Sequence, residues 1–249
     1  GNTSASARPT YAGLQPGDTV TDLIEAYTDK NAGTNKTLAV TGFSVNDGNS
    51  GNNYNVTTAS DATGVINKAP LTITAQTNTK TYDGNTSASA TPTYSGLQAG
   101  DTVTDLTEAY TDKNAGTNKT LAVTGFSVND GNSGNNYNVT TASDATGVIN
   151  KAPLTITAQT NTKTYDGNTS ASATPTYSGL QAGDTVTDLT EAYTDKNAGT
   201  NKTLAVTGFS VNDGNSGNNY DVTKVPDETG EINKAPLTIT AQTNTKTYD

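Results

Sequence analysis

The chain has 249 residues, of which only 31% are hydrophobic, and it contains no Cys, His, Met or Trp. The lack of Cys excludes disulfides and thiolate metal sites, and the lack of His removes the commonest general base in enzymes. A formal net charge of −10 disfavours binding to nucleic acid and to anionic membranes, whose phosphates such a chain cannot neutralise, and no stretch is long and apolar enough to span a bilayer.

The sequence consists of three copies of one repeated unit. The heptapeptide GNTSASA begins at Gly1, Gly84 and Gly167, a spacing of 83 residues. Four positions differ between the first and second units, and six differ between the second and third. Because fixed periods of this kind mark repeat architectures, we expect the function to depend on the number of copies.

Short β-strands are predicted along the second unit, which is rich in Thr and Tyr and in turn-forming Gly and Asn. In chain order the predicted elements are a strand at TPTYSGL (residues 91–97), a turn at LQAGD (97–101), a strand at DLTEAY (105–110), a polar turn at TDKNAGTNK (111–119) and a strand at TLAVTGFSV (120–128). The hydrophobic alternation of the last strand changes phase at Gly125, which predicts a β-bulge.

The unit ends with a loop and its most regular strand. NDGNSGNN (129–136) contains only turn formers, YNVTTASDATGVIN (137–150) reads as one or two strands, and PLTITA (153–158) alternates apolar residues with Thr. The alternation predicts a strand with one buried face. Six or seven short strands per unit predict an all-β fold, with each unit a small β-sandwich-like module.

The module boundaries follow from the position of PLTITA. Complete modules are predicted at 68–150 and 151–233, residues 1–67 form a module without its first strand, and residues 234–249 repeat that first strand. Only NKAP connects one module to the next. Because this connection is short and contains Pro, we expect the tandem array to form a rod or fibre.

Several motifs of the unit resemble a known family. KTYDGNTSA, SGLQAGDTV, DKNAGTNKTLAVTGF and GNNYNVT recur in this order, and the sequence is similar to the YDG-type repeats, relatives of the MBG-type repeats, of large bacterial surface exoproteins such as filamentous haemagglutinins and biofilm adhesins. The resemblance implies a secreted all-β stalk or filament module without catalytic residues. It does not indicate the adhesive target.

Binding and catalytic sites are weakly indicated. The NDGNSGNN loops carry Asp and Asn oxygens, which calcium prefers, but they supply one carboxylate each and lack the closing Glu of an EF-hand loop. No cofactor other than this calcium ion is expected. The candidate calcium ligands are Asp47, Asn49, Asp130, Asn132, Asp213 and Asn215. Without His, and with carboxylates mostly in turns, we expect no enzyme activity.

Two other side-chain roles are considered. A spontaneous Lys–Asn crosslink, as in some surface adhesin domains, would need residues such as Asn67 and Lys68 to be buried, and both look exposed. Tyr82, Tyr165 and Tyr248 in the TYDG motif could stack on sugars, but we expect their rings to cover the thin core.

The chain begins and ends inside the repeated unit, which leaves two interpretations. The 249 residues are an excerpt from a longer array, or the final strand of one chain completes the first module of another by strand addition. In both cases the expected partners are further copies of the same module. We expect an extracellular or cell-surface structural protein, a stalk or fibre of a bacterial adhesin or biofilm; the alternative is a repeated glycan- or matrix-binding module that acts by avidity.

Overall fold

The computed structural model describes all residues, Gly1–Asp249, and contains strands and turns but no helix. None of its elements is therefore a helix that could cross a membrane. The strands are β1 (Thr19–Tyr27), β2 (Gly33–Asn46), β3 (Asp61–Ile66), β4 (Ala69–Thr74), β5 (Thr79–Thr81), β6 (Thr93–Ser95), β7 (Thr102–Tyr110), β8 (Gly116–Asn129), β9 (Tyr137–Ala142), β10 (Asp144–Asn150), β11 (Ala152–Thr157), β12 (Thr162–Thr164), β13 (Thr176–Ser178), β14 (Thr185–Tyr193), β15 (Gly199–Asn212), β16 (Tyr220–Val225) and β17 (Asp227–Asn233). The all-β fold predicted from the sequence is confirmed.

The chain divides into two compact units whose boundaries differ from those of the sequence repeats. One unit contains residues 1–78, 87–110 and 120–145, and the other contains 79–86, 111–119 and 146–249. The division into repeat-based domains stays a prediction. Below, the first copy means residues 1–67, the second copy 68–150 and the third copy 151–233.

The third copy lies within one unit and has two sheets. Its three-stranded sheet has the order β13-β11-β16, and its four-stranded sheet has the order β12-β17-β15-β14. Strand β11 is central in the smaller sheet, antiparallel to β13 and parallel to β16. Its seven strands agree with the six or seven predicted per unit.

The central strand forms because its sequence suits a β-strand with one face buried in the core. Leu154 and Ile156 are fully buried, whereas Pro153 between the apolar positions is exposed. β-Branched and apolar residues at alternate positions favour such a strand. In the second copy the equivalent side chains, Leu71 and Ile73, share a core with Val103 of β7 and Tyr137 of β9. The apolar faces of two sheets therefore meet in the core of the second copy.

The predicted irregularity at Gly125 is present. The β7–β8 register shifts on both sides of the pair Thr107–Gly125. Asp105 on the opposite strand has a φ of 55°, a conformation that few residues other than Gly adopt. The bulges on the two strands compensate each other, so that the pairing continues to Tyr110–Leu121.

The first copy has only one sheet, of order β1-β2-β3. Its segment 54–59 (YNVTTA) forms no strand, although the same six residues form β9 in the second copy. Residues 234–249 form no strand either, and the side chains of Leu237 and Ile239 are 84% and 88% exposed.

Candidate functional site

Successive copies meet at a junction that the structure shows twice. At the junction of the second and third copies, β10 ends at Asn150 and β11 begins at Ala152, so one residue separates them. The Ala152 N–H donates to the Asn219 carbonyl at 2.9 Å. The chain thus passes from the last strand of one copy into the central strand of the next without a flexible linker.

The NDGNSGNN loop forms the second part of this junction. In the third copy the Asp213 carboxylate accepts three backbone N–H groups, from Asn215 at 2.7 Å, Gly217 at 2.9 Å and Asn219 at 3.1 Å. Ser216 and Gly217 both have positive φ values, 55° and 79°, so the chain wraps around the carboxylate. Burial alone would raise the pKa of Asp213, but the three donors lower it below its usual range.

The same loop geometry occurs in the other copies. Asp130 and Asp47 each accept N–H groups from the residues two, four and six positions later. The pKa of Asp47 is lowered, chiefly by the Gly51 N–H. The pKa of Asp130 is also lowered, because its three backbone donors outweigh the opposing effect of burial.

The loop holds an Asn side chain against the preceding copy. Asn219 is fully buried, and its Oδ1 accepts the Ala115 N–H at 2.8 Å and the Asn215 side-chain amide at 3.0 Å. At the junction of the first and second copies, Asn136 Oδ1 accepts the Ala32 N–H at 2.8 Å. We call this contact the asparagine clasp. Its two partners lie 104 residues apart in sequence, so no local pattern could have revealed it.

The candidate calcium ligands fall in this loop. Asp47, Asp130 and Asp213 direct their carboxylates at backbone N–H groups of their own loops, as just described. The Asn49, Asn132 and Asn215 side-chain amides donate to the Asn four residues later. No group of three or more acidic side chains that could hold a metal ion occurs anywhere in the chain. A calcium site stays a prediction, and what the geometry shows is a loop organised by hydrogen bonds.

A buried tyrosine pair forms the third part of the junction. Asp184 of the third copy accepts the Tyr82 hydroxyl at 3.0 Å and the Tyr220 hydroxyl at 2.6 Å. The two rings meet edge to face, with centroids 5.5 Å apart, a favourable arrangement for aromatic pairs. Lys113 lies 3.9 Å from the Asp184 carboxylate, so a cation faces this buried anion.

The expected role of the TYDG tyrosines is only partly correct. The Tyr82 ring is buried, as expected, but its hydroxyl bonds to the next copy. Tyr165 and Tyr248 occupy the same position in the repeat and are exposed. Burial of this tyrosine therefore depends on a following copy being in place, which the sequence of one unit does not show. Asn67 and Lys68 are both exposed, and a crosslink between them stays untested.

A buried carboxyl group lies beside the central strand. Glu191 Oε2 accepts the N–H of Gln159, two residues after β11, at 2.7 Å, and Oε1 has no hydrogen-bond partner. Burial raises the pKa of Glu191 although this N–H lowers it, and Glu108 in the second copy has the same surroundings and the same direction of shift. The sequence predicted carboxylates mostly in turns, and these two are exceptions, since they lie in strands β7 and β14 and are buried.

Comparison with known proteins agrees with the repeat analysis. Residues 67–146 and 150–228, together more than half of the chain, match the family model of the YDG domain. Searches of curated proteins and of solved structures gave no significant match. The chain belongs to the YDG domain family and carries two tandem copies of the domain.

Proposed function

We propose that this chain is a stretch of an extracellular stalk or filament, made of tandem YDG modules, in a bacterial surface adhesin or biofilm fibre. The observation that supports it most is the junction: a one-residue connection, the asparagine clasp and the buried Tyr82–Asp184–Tyr220 contact join neighbouring copies. A chain of domains connected by flexible linkers would need none of these contacts.

The internal organisation of each copy also suits a structural role. The asparagine clasp between neighbouring copies occurs at both junctions. Each copy is therefore stabilised by its own core and its neighbours, and the length of the array depends on the number of copies. Forced unfolding of one copy would release up to about 280 Å of extended chain. The unfolding of a few copies could therefore absorb a pull before covalent bonds are loaded.

Single-molecule pulling on the 249-residue chain tests the mechanical role. We expect a sawtooth trace in which the contour length increases by one 83-residue copy per peak. The Asn219→Ala variant should lower the force of a peak, because the clasp between copies is lost, whereas Asn53→Ala in the first copy removes no clasp and serves as the matched control. A smooth trace without peaks would contradict the proposal.

A second candidate is repeated weak binding of glycan or matrix polymers. It rests on one exposed tyrosine per copy in the PTY motif, namely Tyr11, Tyr94 and Tyr177. Exposed rings of this type can stack on sugars, and several weak sites on one chain raise the overall affinity. Binding to polysaccharide-coated surfaces that falls stepwise in Tyr94→Ala and Tyr94→Ala/Tyr177→Ala would favour this candidate. Binding of both variants as strong as that of the unchanged chain would exclude it.

A further inference from the structure

The third copy protects all four edges of its two sheets. The edge strands β12 and β13 are only three residues long. Edge strand β14 is interrupted by register shifts beside Asp188, whose φ is 56°. The fourth edge strand, β16, contains Lys224 and is followed directly by Pro226. Short strands, bulges, Lys and Pro are the devices by which proteins prevent a free sheet edge from pairing with another chain.

Both Lys224 and Pro226 lie where the backbone of this edge points away from its own sheet. The Ala158 N–H, directly after β11, donates to the Val225 carbonyl at 2.9 Å. Backbone groups alternate in direction along a strand, so those of residues 222, 224 and 226 point away from β11, towards the open edge. Pro226 has no N–H to offer there, and Lys224 adds a charge that an approaching strand would have to desolvate.

Strand β9 of the second copy has the same place in its sheet but none of these devices. It has six residues, and it pairs with β4 in an uninterrupted register at the edge of a sheet of order β6-β4-β9. Thr141 and Ser143 stand where the third copy has Lys224 and Pro226. Thirteen consecutive residues, 131–143, carry no charge, although the chain has a net charge of −10. The edge of β9 is therefore open to another strand.

An aromatic ring marks the same contrast between the two copies. In the third copy the Lys224 ammonium lies 5.1 Å from the centre of the Phe209 ring. In the second copy the equivalent ring, Phe126, is 38% exposed, and Thr141 replaces the lysine. The second copy therefore presents apolar surface without a neighbouring cation, and its burial against a second chain would favour association.

We propose that two chains associate laterally through β9, in an antiparallel pair with Thr140 of one chain opposite Thr140 of the other. The partner is a second copy of this chain, because a twofold relation makes the same edge complementary to itself. A neutral strand also meets its own copy without repulsion, whereas like charges directly opposite are destabilising. The inference goes beyond the proposed function, since it concerns how two chains join side by side and holds wherever the protein is located.

The register follows from the direction of the free backbone groups. Val139 and Thr141 are the β9 residues that correspond to 222 and 224, so their N–H and C=O groups point to the open edge. With Thr140 at the centre, Val139 of each chain lies opposite Thr141 of the other, and the two exchange both hydrogen bonds. Pairing ends before Tyr137, whose N–H already donates to the Gly134 carbonyl at 3.1 Å.

Disulfide trapping tests this register directly, since the chain has no Cys. Opposed residues of a non-hydrogen-bonded pair lie about 4.5 Å apart at Cα, which a disulfide spans. Thr140→Cys should therefore give covalent dimers with oxidised glutathione. Asn138→Cys, two positions away on the same exposed face, should give at least about tenfold less, because its two sulfur-bearing residues would be about 14 Å apart. Thr223→Cys, at the protected edge of the third copy, should also give at least about tenfold less.

Sedimentation equilibrium measures the association itself. The unchanged chain should show a monomer–dimer equilibrium below about 1 mM. Thr141→Lys/Ser143→Pro gives β9 the protected edge of the third copy, whose fold accepts both residues, and should weaken dimerisation by at least about 30-fold, since each change acts twice across the twofold axis. Ala145→Glu, another third-copy residue but in β10, is the matched control and should dimerise like the unchanged chain.

The reverse exchange completes the test. Lys224→Thr/Pro226→Ser opens the edge of β16 and should produce assemblies larger than dimers, because each chain then has two edges for pairing. A chain that stays monomeric up to about 1 mM, dimerisation that Thr141→Lys/Ser143→Pro leaves unchanged, or equal trapping of Thr140→Cys and Asn138→Cys would overturn the proposal.

Discussion

The first and second copies contain the same peptide, YNVTTA, in two different structures. At Tyr137–Ala142 it forms strand β9, with its edge paired to β4, and at 54–59 it forms no strand. Local sequence is identical, so intrinsic propensity cannot account for the difference. The partner strand does, because a β-strand is stabilised by the neighbours with which it exchanges hydrogen bonds and side-chain contacts.

The comparison extends to burial. Val20, Glu25 and Leu38 of the first copy are partly buried, whereas Val103, Glu108 and Leu121 of the second are buried. Each pair has the same residue type in the same strand of the repeat. The APLTIT segment therefore acts as the central element of a copy: when it is in place, both sheets form and the core closes.

Disrupting the central strand should lower the free energy of unfolding more than any other change. Ile156→Ala removes a fully buried side chain and should destabilise the third copy by about 3 kcal/mol. The matched change Ile239→Ala, in the exposed segment, should alter the free energy of unfolding by less than about 0.5 kcal/mol in the dilute chain. Urea denaturation followed by circular dichroism measures both, and equal effects would contradict the comparison.

The loop carboxylate should have the next largest effect. Asp213→Ala leaves three backbone N–H groups without their acceptor and releases Asn219 from its clasp, at a cost of about 2 kcal/mol. Asp47→Ala should cost less, since Asn53 contacts no preceding copy. Stability that depends on the lowered pKa of Asp213 is present above the ordinary pKa of Asp and is lost as the pH falls through the folded value. Urea titrations at pH 7 and pH 3 should therefore differ less in Asp213→Ala than in the unchanged chain.

The junction tyrosine gives a smaller effect that depends on its position in the array. Tyr82→Phe deletes the hydroxyl that bonds Asp184 and should cost about 1 kcal/mol. Tyr165→Phe, at the exposed equivalent position, should have no measurable effect. Thermal unfolding measured by calorimetry distinguishes them, and a Tyr165→Phe loss as large as that of Tyr82→Phe would show that the hydroxyl serves its own copy.

The buried glutamates should give the smallest effect, visible as a pH dependence. The pKa values of Glu108 and Glu191 are raised in the folded chain, so their contribution favours folding below the ordinary pKa of Glu and is lost as the pH rises through the raised value. Glu108→Gln/Glu191→Gln should flatten the decline in stability as the pH rises above the ordinary pKa of Glu. An unchanged slope of unfolding free energy against pH would mean that neither pKa is raised by folding.

Much of the fold could be predicted from the sequence because strands and turns have local signatures. Alternation at residues 153–158, the glycine at 125 and the turn formers of 129–136 each indicated the correct element. The strand bounds were less accurate, since β8 begins at Gly116, inside the predicted polar turn. In the third copy the equivalent start, Gly199, pairs with Ile232 of β17. A partner so distant in sequence cannot be recognised from the local pattern of residues.

The junction could not be predicted, since its contacts join residues far apart in the chain. Tyr82 and Asp184 are separated by 102 positions, and neither has an unusual local context. The Asp213 loop suggested calcium because a loop with one Asp and several Asn has the same composition whether its oxygens accept backbone N–H groups or bind a cation. Only the positions of the donors distinguish these arrangements.

Hydrogen exchange of the YNVTTA peptide tests the central claim most directly. Because the first and second copies yield peptides of identical mass, mass spectrometry of the 249-residue chain reports both at once. We predict two equal populations, one protected, from Tyr137–Ala142, and one that exchanges rapidly, from 54–59. A single protected population would show that this segment forms a stable strand without its APLTIT partner, and would contradict the account.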